Sequence, residues 1–177
     1  MTLSPTPAAV GEDLAGDPPT LGEQDGFTIY PMPVYTTVPV TDVVASARWY
    51  VDALGFGIMY VGPEVAGAPV VVHLRRGKYQ DILLTPAQGD VTPAPASGAA
   101  QVALAGGDLE ALAARARSVP AVGRSSVEGP VPTPWGAPEL RVTDPDGHRL
   151  VFWGAPEQPP AHDIDTMLRA AAERVEQ

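Results

Sequence analysis

One plan is written twice along this chain, and it restricts the fold more than any single motif. A short β-branched strand leads to an aspartate, the aspartate to an amphipathic helix, and the helix to further strands. Val34 to Val40 interleaves apolar and polar residues, the period of a half-buried strand. Pro39 lacks a ladder donor, which puts that strand at an edge or near its end. Asp42 suits an N-cap, because its carboxylate accepts from the free N–H groups of a first helical turn. Val43, Ala47, Tyr50, Val51 and Leu54 recur at helical spacing, with Trp49 at the border of their stripe, and Gly55 ends the helix.

Phe56–Val61, Pro69–Leu74 and Tyr79–Thr85 read as three more strands, so the first half runs β-α-β-β-β. The last two are joined by Arg75-Arg76-Gly77-Lys78, a hairpin tip whose cations are expected in solvent. The second half has a strand at Gln101–Ala105, an Asp108-capped helix with Leu109, Leu112, Ala113 and Ala116 on one face, and strands at Ser125–Val127, Leu140–Thr143 and Arg149–Trp153. The turn Asp144-Pro145-Asp146-Gly147 carries its own reasons. Asp144 accepts from the following backbone, Pro145 presets φ, and Gly147 supplies a positive φ. The halves match in pattern and hardly at all in identity.

The expected organisation is therefore an acidic, loosely packed tail over 1–29, a first module over 30–90, a second over 91–158, and an amphipathic C-terminal helix over 159–177. That helix would start at Asp163 and gather Ile164, Met167, Leu168, Ala171 and Val175 on one face. Residues 86–98 are rich in Pro, Ala and Gly and read as the linker between modules.

The 177 residues contain no Cys, which removes disulfides and thiolate chemistry. A net charge of -10 argues against nucleic acid, and no stretch is long and apolar enough to span a membrane. No signal peptide is visible, so the expected location is the cytoplasm. The acid is unevenly placed: Glu12, Asp13, Asp17, Glu23, Asp25 and Asp42 precede the first basic residue, Arg48.

The order and spacing of Val38-Pro39-Val40-Thr41-Asp42, Arg48 to Phe56, Pro134-Trp135-Gly136 and Asp144 to Trp153 resemble the glyoxalase/bleomycin resistance/dioxygenase family, the vicinal oxygen chelate superfamily. The resemblance implies an α+β fold. Two βαβββ modules would form a cup-shaped mixed sheet, commonly completed in a homodimer. In metal-dependent relatives His, Gln and Glu on the strands hold a divalent ion. Carried over, those positions are Tyr35, Asp81, Gln101 and Val151. Asp81 keeps a carboxylate and Gln101 an amide, whereas a protonated phenol and a valine offer little to a metal. His73, His148 and His162 lack ligand spacing.

Strand residues two apart share a face. If these positions point into the cup, so do Thr37, Tyr79, Leu83 and Trp153, with Trp135 on a loop able to close over the opening. Aromatic walls with few polar groups suit a flat organic ligand, and Asp81 would be the one anionic anchor for a cation. The expectation is a small-molecule binder resembling bleomycin-resistance proteins, with no metal, cofactor, nucleic acid or membrane partner, acting by sequestration as a homodimer. The alternative is a lyase, isomerase or dioxygenase of the same fold. In its metal-independent form Asp81 would be a general base with a raised pKa, and Tyr35 would donate to an oxyanion.

Overall fold

The computed structural model describes residues 22–24, 27–29, 35–88 and 101–156. In chain order its elements are β1 (Gly22–Gln24), β2 (Phe27–Ile29), β3 (Thr36–Val40), α1 (Val43–Leu54), β4 (Gly57–Val61), β5 (Glu64–Val65), β6 (Ala68–Pro69), β7 (Val72–Arg75) and β8 (Asp81–Pro86), then β9 (Gln101–Ala105), α2 (Leu109–Ser118), β10 (Ser126–Val131), β11 (Glu139–Thr143) and β12 (Arg149–Trp153).

Both halves build the same sheet. In the first the spatial order is β3-β8-β7-β4, in the second β9-β12-β11-β10. Each first strand lies parallel to the fourth, and the remaining pairs are antiparallel. The register shows how closely the halves correspond. Thr37 pairs with Leu83, and Ala103 with Val151; Arg75 pairs with Asp81, and Thr143 with Arg149. The fold is thus α+β, two βαβββ modules with matching strand order.

The helices form where the cap chemistry predicts. The Asp42 carboxylate accepts from Val44 and Ala45 N–H, and Asp108 accepts from Ala111 N–H. Gly55 closes α1 at φ 72, with its N–H on the Val51 carbonyl and the Phe56 N–H on that of Tyr50. This left-handed ending satisfies carbonyls the helix leaves open.

α1 packs on α2, and each lies on its own sheet. Alternation along the strands sends Val38, Val40, Leu74, Ile82 and Leu84 from one module and Leu140, Val142, Leu150 and Phe152 from the other toward the helices, into one continuous core. Trp49, at the border of the sequence stripe, is part of it. The alternate residues of these strands face away from the helices.

Several boundaries differ from the sequence expectation. Pro69–Leu74 is not one strand: β6 ends at Pro69, and β5–β6 form a small hairpin before β7 begins at Val72. β10 runs on to Val131, with a register shift between Glu128 and Val131. A β1–β2 hairpin lies inside the segment read as a loose tail. The remainder of that tail, most of the linker and the C-terminal helix lie outside the described residues. Among the described residues, no helix is long and apolar enough to cross a membrane.

Candidate functional site

The face turned from the helices carries β7 and β8 of the first module and β11 and β12 of the second. On it Asp81 is not the solitary anion that its apolar flanks suggest. Its Oδ1 accepts from Arg75 Nε at 2.7 Å and lies 2.6 Å from His73 Nε2. The Arg75 and Asp81 side chains are essentially buried, at 3% and 0% exposure. Burial alone would raise the Asp81 carboxyl. The hydrogen bonds from His73 and Arg75 and the Arg75 charge outweigh it and hold the group below its ordinary value. An ionised carboxylate only accepts, so His73 carries its proton on Nε2. A general base with a raised pKa is therefore not what Asp81 is.

Two other expectations change with it. Arg75 is not at a solvated tip but belongs to β7 as a buried ion-pair partner. Tyr79 does not begin β8. It lies in the turn between Arg76 and Gln80 at φ 64, 41% exposed, with Lys78 Nζ 5.2 Å from its ring centre. The sequence counted its turn from Gly77, whereas the chain reverses later and β8 opens at Asp81.

The register also separates positions that the resemblance put in one set. Val151 lies beside Ala103, one pleat further along than Gln101, which lies beside Arg149. In the first module the place matching Val151 is Leu83, beside Thr37, and Asp81 matches Arg149. The row Thr37–Leu83 with Ala103–Val151 offers one hydroxyl and no carboxylate, and beyond it the row continues to His73 beside Leu83 and Arg141 beside Val151. The next row offers an ion-paired Asp81 and the cation of Arg149. Neither set fits a divalent ion, which wants three or more converging donors. Among the described residues no group of three His, Asp or Glu is placed to hold one.

Of the expected lining residues, Thr37, Leu83, Val151 and Trp153 share this face by alternation. Tyr35 precedes β3 and is 52% exposed. Trp135 is 58% exposed, on the loop between β10 and β11, and its ring lies 5.6 Å from that of Trp153 at a tilt of 42°. The loop folds back by backbone bonds, Gly136 N–H to the Thr133 carbonyl and Gly154 N–H to that of Pro138. For Gln101 only the backbone position on β9 is described.

Sequence reasoning missed His73, Arg75, Glu139 and Arg141, all on this face. Arg141 Nη2 donates to Glu139 Oε2 at 2.9 Å, and Glu139 is buried. The signal was present: His73 and Arg75 alternate with Val72 and Leu74, and Glu139 and Arg141 with Leu140 and Val142. The result is a face whose two buried acids each hold an arginine, with the exposed Trp135 beside a half-buried Trp153.

A family model described as the glyoxalase/bleomycin resistance protein/dioxygenase superfamily matches residues 33–152. Comparison with curated proteins finds no match. Among solved structures, TnmS3, an antibiotic-binding protein from Streptomyces sp. CB03234, is 27% identical at a TM-score of 0.53, covering 70% of this chain and 93% of its own. The bleomycin resistance determinant encoded on the transposon Tn5 is 22% identical at 0.54, with 71% and 98% covered. TioX from Micromonospora sp. ML1 is 21% identical at 0.52, with 68% and 95% covered. The last two are likenesses of fold.

Proposed function

The chain belongs to the glyoxalase/bleomycin resistance protein/dioxygenase superfamily, and from that premise we propose that it binds an aromatic, antibiotic-like small molecule and works by sequestration, without a catalytic metal. The observation that carries this reading is the Trp135–Trp153 pair. An indole left 58% exposed beside a second indole, on the strand face away from the core, is a stacking surface for a planar ring. Antibiotic binding by TnmS3 supports the ligand class. Because Arg75 already balances Asp81, recognition rests on ring stacking more than on a free carboxylate. A homodimer completing the cup, in the cytoplasm, belongs to the same proposal. The ligand contacts would come from Tyr35, Thr37, Leu83, Gln101, Trp135, Val151 and Trp153, with Asp81 one layer deeper and Tyr79 at the turn.

The test is a titration by intrinsic Trp fluorescence, on metal-free protein, against bleomycin and a set of aromatic antibiotics. Saturable quenching without metal is expected, weakened about ten-fold or more in Trp135→Ala and in Trp153→Ala. Turnover that needs an added metal, or equal affinity in both variants, would overturn it.

One observation favours a second reading, metal-independent acid–base chemistry. With Nε2–H donated to Asp81, His73 keeps the Nδ1 lone pair as a base, held by a carboxylate as an orienting group. The base would then be His73, not Asp81. Turnover that survives His73→Gln would remove it.

A further inference from the structure

The repeat gives the molecule two equivalent grooves, one at the N-terminus of each helix, and among the described residues only one is filled. The α1 groove, about 360 Å³, is lined by Thr41, Asp42, Ala45, Ser46 and Trp49 together with the turn residue Asp146. The α2 groove, about 780 Å³, is lined at the same places by Gly107, Asp108, Ala111, Leu112 and Arg115. In the first, the Asp146 carboxylate docks on the helix start. It accepts from Thr41 N–H at 3.1 Å, from the Thr41 hydroxyl, and from Ser46 Oγ at 3.3 Å. In the second, the residue matching Asp146 is Lys78, whose ammonium lies against the Tyr79 ring and which is not part of the groove wall.

What replaces the carboxylate is cationic. Arg76 and Arg115 both line the α2 groove. Neither pairs with a carboxylate among the described residues. Arg76 donates to the carbonyls of Leu54, Ala105 and Gly106, and Arg115 to those of Val51 and Asp52. The two guanidiniums are close enough to act on each other: burial first, then the Arg115 charge, lowers the Arg76 pKa. Arg115 Nη1 has no acceptor among the described residues, and neither has the Gly107 N–H, the counterpart of the Thr41 N–H. Among the described residues Asp108 is the one acid on the wall, engaged with Ala111 N–H. Its counterpart Asp42 tolerates the Asp146 carboxylate in the same relation, so a cap aspartate does not bar an anion there.

We propose that the α2 groove binds a compact oxyanion, a carboxylate or a phosphate, in the place where the other groove holds the Asp146 carboxylate. Two arginines and a helix start favour such a group through charge-assisted hydrogen bonds and the helix dipole. The site lies on the helix side of the molecule, away from the strand face, so it stands or falls independently of the proposed drug cup.

The experiment is a titration of full-length protein with inorganic phosphate, and separately with acetate, followed by ¹H–¹⁵N spectra at constant ionic strength with chloride as the balance. Saturable shifts are expected at the Gly107 and Ala111 amides and at Arg115 Nε, with the Thr41 and Ala45 amides unmoved. Affinity should fall about ten-fold in Arg115→Gln. Gln80→Glu, which keeps the Arg115 bonds to α1 and places a carboxylate on the wall, should also weaken it. Saturation by phosphate but not acetate would narrow the class to phosphates, and the reverse to carboxylates; either supports the site. Linear, unsaturated shifts with both ions, equal shifts around the two helix starts, or unchanged affinity in both variants would overturn it.

Discussion

The turns joining the third and fourth strands of the two modules, Arg76 to Gln80 and Asp144 to His148, span equal lengths between matched pairs, Arg75 with Asp81 and Thr143 with Arg149. Their first residues have opposite charge and the same task. Arg76, in the first module, donates to the Ala105 and Gly106 carbonyls at the end of β9 in the second. Asp144, in the second, accepts from Tyr50 Oη on α1 of the first at 2.9 Å. Its neighbour His148 reaches the Pro39 carbonyl at the end of β3. The repeat conserves the place from which the modules are tied together and exchanges the chemistry that ties them.

The acids of the two modules differ accordingly. Asp81 is held by an arginine and a histidine. Asp144 is fully buried, and among the described residues no basic side chain is bonded to it. It accepts from Tyr50 and from the Asp146 and His148 N–H groups. Burial raises the Asp144 carboxyl, against the opposing pull of His148 and these hydrogen bonds. Burial, and then the Asp144 charge, raises the Tyr50 phenol in turn. A buried carboxylate is stabilised by a cation where the strand supplies one and by N–H and O–H dipoles where only a turn does.

The largest expected effect is at the ion pair. Asp81→Ala removes the carboxylate bonded to the buried Arg75 and to His73 and should cost about 3–5 kcal/mol, read from the urea midpoint. Asp144→Ala should cost less, about 2–3 kcal/mol, because the groups bonded to Asp144 are neutral donors. A loss at Asp144 equal to that at Asp81 would break the distinction. The pH dependence sharpens it. The depressed Asp81 contributes stability present above its unfolded pKa and lost as pH falls through its folded pKa. The raised Asp144 has the opposite sign: its contribution is full below the unfolded pKa and lost as pH rises through the folded one. Asp144→Asn should therefore steepen the acid-side fall in stability, and Asp81→Asn should flatten it, when unfolding is measured from neutral to acid pH. The smallest effect separates the turns themselves. Tyr79 at φ 64 matches Gly147 at φ 99. Tyr79→Gly should be neutral or stabilising by up to about 1 kcal/mol, whereas Gly147→Ala should cost about 1 kcal/mol or more. Thermal unfolding of both variants checks the sign.

Much of the fold was legible because its signals are local. Asp42, Asp108 and Gly55 announce helix ends through groups within a turn of themselves, and the apolar stripes of both helices follow from a 3.6-residue period. Asp144-Pro145-Asp146-Gly147 specifies its turn from its own side chains. The first module's turn has no such signature. Its positive φ falls on a tyrosine, so counting from Gly77 started the strand too early and made Tyr79 a wall residue. Of the site, the exposed tryptophan on the loop and the alternation of β12 could be read, while the partners of Asp81 could not.

The sequence alone determined which residues share a helix face or a strand face, and from these the family of folds. Such periods are set by backbone geometry within a few residues. The tertiary structure decided the rest: that Asp81 meets Arg75 and His73, that Asp144 meets Tyr50, and that Asp146 fills one groove while its counterpart Lys78 leaves the other open. Those outcomes depend on strand register and on how two modules pack. Both are set by the collective burial of a common core, which no short stretch of sequence encodes.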